Sequence, residues 1–116
     1  MYKLFHNPRC SKSRAALQLL EETKIDFQTV LYLENPLSKS EISVLVDGVI
    51  GDYHHLIRKG EEEFRQSGKE LTKMSKSEVT QFLFSNGRCM ERPILSQGNR
   101  CVIGRPTERL NLILDQ

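Results

Sequence analysis

The first third of the chain is predicted to form a strand, a helix and a second strand, and this order constrains the fold most. Residues 3–6 have the composition of a short strand, and a helix is predicted to begin at Ser11. Residues 27–33 are rich in β-forming side chains. Two strands joined by one helix run parallel with a right-handed crossover. The chain is therefore expected to begin with a parallel βαβ unit.

The middle of the chain is predicted to be helical. Two capping boxes, at residues 38–41 and 75–78, each precede apolar residues at helical spacing. Residues 54–66 are polar with scattered apolar side chains, which predicts one or two short helices. We therefore expect a helical insertion over about residues 37–87.

The end of the chain is predicted to return to strand. Residues 93–96 and 100–103 flank a Gln-Gly-Asn turn at residues 97–99, which predicts a tight hairpin. Pro106 is expected at the first position of a last helix. This order predicts an α/β fold with a four-stranded mixed sheet and helices packed on it. We expect one domain, residues 1–116, large enough to bury its own core.

Composition and charge exclude several classes of function. A formal net charge of +2 is too small for a strong general attraction to nucleic acid. No apolar run approaches membrane-spanning length, and no signal-peptide core follows Met1. The three cysteines form neither a disulfide framework nor a zinc-binding pattern. We therefore expect no metal, no nucleic-acid or membrane partner, a reducing cytoplasmic location, and a monomer.

Cys10 is the strongest candidate for a reactive residue. It lies at the predicted N-terminus of the first helix and is flanked by Arg9, Lys12 and Arg14. The partial positive charge of the helix, the neighbouring cations and the free backbone N–H groups all favour a thiolate. The same N–H groups can bind an anion. Cys101, by contrast, lies in an apolar strand and is expected to be a small buried side chain.

The residues after Cys10 limit its chemistry. Ser13 stands where a dithiol oxidoreductase has its second cysteine, so an adduct on Cys10 must be resolved by an external thiol or a distant cysteine. Cys89 is a candidate for that distant thiol, although an incidental loop cysteine is the simpler interpretation. Ser13 Oγ is expected to stabilise the thiolate, to help cap the helix, or both. Ala16 stands where a phosphatase loop needs an arginine, which excludes that loop.

Two polar residues before Cys10 have alternative interpretations. His6 either tunes the thiol or positions a bound anion, or it caps the end of a strand without a chemical role. Asn7 either orients the turn through its side-chain amide or is an ordinary turn residue before Pro8. The pattern of residues leaves both alternatives open.

Three downstream arginines are candidates for binding an oxyanion. Arg58 follows an apolar pair, Arg92 directly precedes Pro93, and Arg105 directly precedes Pro106. Each alone is typical of a surface arginine. A guanidinium group stays charged and can bind an oxyanion bidentately. If they converge on the thiolate, they would bind a tetrahedral oxyanion and stabilise the charge that develops during reaction.

These motifs together resemble the ArsC-type arsenate reductases of the thioredoxin-like superfamily. The resemblance covers nearly the whole chain and is carried by residues 6–14, 31–36, 56–59, 91–94 and 103–106. A Ser-Lys pair follows Cys10 where the resistance enzymes have Gly-Thr. The sequence is therefore closer to a sister branch of uncharacterised arsenate reductase-like proteins.

The resemblance implies a fold and a set of roles. It implies a thioredoxin-like fold with a helical insertion, and a cis peptide before Pro93. Cys10 would attack arsenate and form a thiol–arsenate adduct. The arginines at positions 58, 92 and 105 match the oxyanion-binding arginines of the family. His6 and Ser13 match residues that lower the thiol pKa, and Asn7, Arg14 and Pro93 support the site.

The resemblance also implies the reductant. Glutathione would act as co-substrate and attack the adduct, and glutaredoxin would then regenerate the enzyme with release of arsenite. No bound metal or organic cofactor is implied.

Two other functions remain open on the same scaffold. The first is glutathione-dependent reduction of glutathionylated proteins, in which the arginines would bind a glutathione carboxylate. The second is a non-enzymatic redox adaptor of the Spx type, which binds RNA polymerase. Spx-type proteins carry a Cys-x-x-Cys switch, and Ser13 in place of the second cysteine argues against that function.

Overall fold

One mixed sheet forms the centre of the computed structural model, which describes residues 1–114. In that range the strands are β1 (Tyr2–Phe5), β2 (Phe27–Val30), β3 (Ile94–Gln97) and β4 (Arg100–Ile103). Their order in the sheet is β2-β1-β3-β4. β1 and β2 run parallel, whereas β3 is antiparallel to both β1 and β4. The predicted four-stranded mixed sheet and the βαβ unit are confirmed.

Helix α1 (Ser11–Thr23) makes the crossover between β1 and β2. Its first residue is the predicted one, and it ends at Lys24, whose φ of 60° is left-handed. Ala16 and Leu20 are fully buried on its inner face. The spacing that predicts this helix therefore also identifies the face that packs on the sheet.

The insertion between β2 and β3 consists of short helices. Its two capping boxes are formed as predicted, with Ser38 and Ser75 each accepting a hydrogen bond from the backbone N–H three residues later. The α-helices are α2 (Lys39–Gly48), α3 (Glu62–Ser67) and α4 (Lys76–Ser85). The 3-10 helices are Tyr53–Leu56, Leu71–Lys73 and Gly87–Cys89.

Alternation along the strands divides the core into two layers. Ile94 and Cys101 face the layer made with the insertion, whereas Leu95 and Val102 face the layer made with α1 and the end of the chain. Successive side chains of a strand point to opposite faces, which explains the division. Burial raises the pKa of Cys101 to about 12, so this thiol is a buried core side chain, as expected.

Two predicted elements differ from the structure. The second strand ends at Val30, because the next residues turn and the N–H groups of Glu34 and Asn35 both donate to the Leu31 carbonyl. The last helix is a 3-10 helix (Thr107–Leu112). Pro106 precedes it as the N-cap, with an extended ψ of 165°, and is not its first helical residue.

The capping box of α4 predicts a stability effect. Ser75→Ala removes the hydroxyl that accepts from the Glu78 N–H at 3.1 Å, and we expect a loss of about 1 kcal/mol of unfolding free energy. Ser77→Ala is the matched control, because Ser77 is exposed inside the same helix. Urea unfolding of both variants measures the difference. Equal midpoints would contradict the assigned cap.

Candidate active site

Cys10 is the N-cap residue of α1, at the junction with β1. Its φ and ψ are −97° and 122°, and its carbonyl accepts the first helical hydrogen bond from the Arg14 N–H at 3.0 Å. The side chain is half-buried. The backbone N–H groups of Lys12 and Ser13 at this helix end favour the ionised form of the thiol and act to lower its pKa. The predicted thiol at a helix N-terminus is therefore present in the structure.

The loop before Cys10 is held by its own polar groups. Asn7 Oδ1 accepts a hydrogen bond from the Arg9 N–H at 3.0 Å, and the Asn7 carbonyl accepts one from the Cys10 N–H at 3.0 Å. Arg14 Nη1 donates to the Pro8 carbonyl at 3.0 Å. Asn7 thus orients the turn through its side-chain amide, which was one of its two interpretations.

His6 and Ser13 form a buried pair behind the loop. His6 Nδ1 lies 2.6 Å from Ser13 Oγ, which also accepts a hydrogen bond from the Asn7 N–H at 3.0 Å. Burial and the nearby Arg14 lower the pKa of His6, so the ring stays neutral. Ser13 acts on the thiol through its backbone N–H, and its hydroxyl does not. A role of His6 and the Ser13 hydroxyl in lowering the pKa of Cys10 stays a prediction, and they would do so by holding the loop in position.

Two of the three candidate arginines contact the thiol. Arg105 Nη2 lies 3.2 Å from Cys10 Sγ, and the Arg92 side chain also hydrogen-bonds the sulfur. Burial acts to raise the pKa of Cys10. The Ser13 N–H, the Arg92 side chain, the Lys12 N–H and the charge of Arg105 all favour the thiolate, and together they outweigh burial and lower the pKa below its ordinary value.

Glu91 joins all three arginines, and the sequence interpretation did not identify this role. Its Oε1 lies 3.3 Å from Nε of Arg58, 3.3 Å from Nε of Arg105, and 3.1 Å from the backbone N of Arg92. Arg105 Nε also donates to the Arg92 carbonyl at 2.7 Å. The structure thus brings the three arginines together, with Arg58 linked through the carboxylate. The position of Glu91 directly before Arg92-Pro93 was the available signal.

Pro93 lies fully buried at the start of β3. The peptide bond before it is cis, as the resemblance implies, and its carbonyl accepts a hydrogen bond from the Gly104 N–H at 2.9 Å. The bond between Arg105 and Pro106 is also cis, which was not expected. The arginines of both arginine–proline steps interact with the Cys10 thiol.

Cys89 is fully buried in the core layer that the insertion forms with the sheet. Burial, with the carboxylates of Glu63 and Glu61 nearby, raises the pKa of its thiol, which hydrogen-bonds the Phe64 backbone. Its carbonyl accepts from the Arg58 N–H at 2.7 Å. These contacts favour a structural role for Cys89, because its backbone positions Arg58 and its thiol stays protonated.

An open cleft of about 710 Å³ adjoins the Cys10 loop. Charged residues of both signs line it beside two leucines: Arg9, Arg88, Arg92, Glu34, Glu61, Leu31 and Leu33. Arg88 lies 3.6 Å from Glu61 and 3.8 Å from Glu63, so its charge is already balanced by these carboxylates. A cleft with polar and apolar walls suits a small organic ligand.

Neither a metal site nor a membrane-spanning helix is found in the described part of the chain. Within residues 1–114, no group of three His, Cys, Asp or Glu side chains could hold a metal ion. In the same range, no helix is long and apolar enough to cross a membrane.

The lowered pKa of Cys10 predicts how its reactivity depends on pH. Only the thiolate is alkylated, so the rate with iodoacetamide should reach half its plateau below the ordinary value of about 8.5. Mass spectrometry of the Cys10 peptide measures the rate, and sulfate should slow it by occupying the arginines. A midpoint at or above 8.5, without protection by sulfate, would contradict the assigned contacts.

Known proteins are similar to this chain over nearly its whole length. The model of the ArsC family matches residues 5–113. The arsenate reductase of Neisseria meningitidis serogroup B is 32% identical over 113 residues, which cover 97% of each chain. The "Uncharacterized protein YfgD" of Escherichia coli K12 is 34% identical over 110 residues, or 93% of this chain and 92% of that protein.

A solved structure shows the same architecture. The arsenate reductase from Vibrio cholerae is 30% identical, and the likeness covers 97% of each chain with a TM-score of 0.85. This likeness confirms the expected thioredoxin-like fold. The chain belongs to the ArsC family.

Proposed function

We propose that the protein reduces arsenate, with Cys10 as nucleophile and Arg58, Arg92 and Arg105 as the oxyanion-binding residues. The observation that carries this proposal is the contact of two guanidinium groups with one thiol, at 3.2 Å for Arg105 Nη2. Family membership supports the reaction class. The names of relatives at about 32% identity support arsenate as the oxyanion.

The first step makes an adduct without a change of oxidation state. The Cys10 thiolate attacks arsenic, a sulfur–arsenic bond forms, and one arsenate oxygen leaves as hydroxide, which takes a proton to become water. Negative charge grows on the remaining oxygens. Preorganised guanidinium groups stabilise such charge strongly because they need no reorganisation during the reaction. The Arg105 guanidinium is already held for this step by Glu91 Oε1 and by the Arg92 carbonyl.

The second step is the reduction. A glutathione thiolate attacks the Cys10 sulfur of the adduct, and the electron pair of the sulfur–arsenic bond stays on arsenic. As(V) thereby becomes As(III), which is released as arsenite, and Cys10 is left in a mixed disulfide with glutathione. A glutaredoxin thiol then exchanges with that disulfide and restores the Cys10 thiolate.

An external thiol is needed because the other cysteines are unsuitable. Cys89 and Cys101 are both buried, and the pKa of each thiol is raised. Ser13 supplies no sulfur. The cleft beside the loop has a volume of about 710 Å³, and Arg9 on its wall is the candidate partner for a carboxylate of a tripeptide thiol. No bound cofactor takes part in this scheme.

The same cleft favours a second candidate function. A glutathione mixed disulfide on another protein presents a glutathione carboxylate to Arg9, and Cys10 could attack its sulfur directly. Turnover would then be deglutathionylation, and arsenate would not be required. The rates on arsenate and on a glutathione mixed disulfide, compared at equal enzyme concentration, separate the two functions.

Substitution of single cysteines tests the proposed mechanism. In an assay that couples glutathione oxidation to NADPH, Cys10→Ser should abolish arsenate-dependent turnover. Cys89→Ser is the matched control and should retain turnover, because an external thiol resolves the adduct. Turnover by Cys10→Ser would contradict the proposed nucleophile. Loss of turnover in Cys89→Ser, with its fold intact by circular dichroism, would instead indicate an internal resolving thiol.

A further inference from the structure

Tyr32 carries a buried hydroxyl group that no part of the described fold satisfies. It lies in the turn after β2, and its side chain is 3% exposed. Within residues 1–114, its Oη has no hydrogen-bond partner. Buried polar groups almost always have a partner, so an exception calls for an explanation.

Arg92 shows the same feature at the same site. Its side chain hydrogen-bonds the Cys10 sulfur, yet its buried Nε has no hydrogen-bond partner within the described range. A guanidinium N–H can only donate. A donor therefore remains unused directly beside the reactive sulfur.

Both atoms without a partner, Tyr32 Oη and Arg92 Nε, belong to side chains at the thiol site. The Tyr32 phenol interacts electrostatically with Arg92, Cys10, Arg58 and Glu91, which are the residues that build the thiol site. Burial raises the pKa of Tyr32, so its hydroxyl keeps its proton at neutral pH and is available as a donor.

We propose that Tyr32 is a substrate-binding residue, whose hydroxyl donates a hydrogen bond to one oxygen of the bound oxyanion while Arg92 Nε donates to another. This inference rests on the proposed function, because the oxyanion is the substrate attacked by Cys10. A tetrahedral oxyanion offers acceptors in several directions, so it can satisfy both donors at once. Each of the two buried donors would then have one oxygen of the substrate as its acceptor.

A phenol suits this position for an electrostatic reason. The arginines already supply positive charge, and Glu91 balances part of it. A neutral donor adds a directed hydrogen bond without further lowering the pKa of Cys10. The ring packs in the core layer that also contains Phe5 and Leu37, so phenylalanine could fill the same volume. The hydroxyl is the part of Tyr32 that packing does not explain.

The variant Tyr32→Phe tests the proposal, because it removes the hydroxyl and keeps the ring. We expect the arsenate concentration that half-protects Cys10 from alkylation to rise about 10-fold, as for loss of a hydrogen bond to a charged group. The alkylation rate without anion and its pH midpoint should stay unchanged, and the protein should not become less stable to urea.

Tyr53→Phe is the matched control. Tyr53 Oη donates to the Met74 carbonyl at 3.0 Å within the insertion. This variant should lose stability and keep the wild-type protection by arsenate. The opposite pattern for Tyr32→Phe, with lower stability and unchanged protection, would overturn the inference and leave the proposed function intact. Absence of protection in the wild-type protein would overturn the proposed function itself.

Discussion

The contact between the Cys10 sulfur and two guanidinium groups is the interaction on which the site depends. A half-buried thiol resists ionisation, because burial disfavours its charged form. Only the combination of helix N–H groups with Arg92 and Arg105 reverses that tendency. The same donors then face any oxyanion that approaches the sulfur. In the proposed function, activation of the nucleophile and binding of the oxyanion would therefore use one set of groups.

Glu91 makes this concentration of positive charge possible. Three guanidinium groups close together repel one another, and a shared carboxylate oxygen at 3.3 Å from Arg58 and from Arg105 offsets that repulsion. Because Glu91 also accepts from the Arg92 N–H, it ties the cluster to the backbone at the start of β3. The guanidinium groups of Arg58 and Arg105 are thus held in place by one carboxylate, as electrostatic stabilisation in the proposed function would require.

Local sequence rules predicted the parts of this protein that are determined locally. The capping boxes, the βαβ unit and the position of Cys10 follow from residue spacing and helix-end chemistry, and all are present. The last helix was predicted to have Pro106 as its first residue, but an extended ψ makes Pro106 the cap before it. The exact start of a helix depends on tertiary packing, which the spacing of residues in the sequence does not reveal.

The contacts within the site could be predicted only in part. Convergence of the arginines was a hypothesis, because residues 58, 92 and 105 come together only when β3, β4 and the insertion are packed. The Ser13 hydroxyl was expected near the thiolate, yet its hydrogen bonds go to His6 and the Asn7 N–H. The proposed role of Tyr32 depends on partners distant in sequence, so no local pattern indicated it.

The most direct test of the account is the pKa of Cys10 with and without its guanidinium contact. Thiolate absorbance near 240 nm, taken as a difference against Cys10→Ser, measures it. The wild-type value should lie below about 8.5, and Arg105→Ala should raise it. Arg65→Ala, which removes an exposed arginine of α3, should leave it unchanged. An ordinary pKa in the wild-type protein, or equal values in all three proteins, would contradict the account.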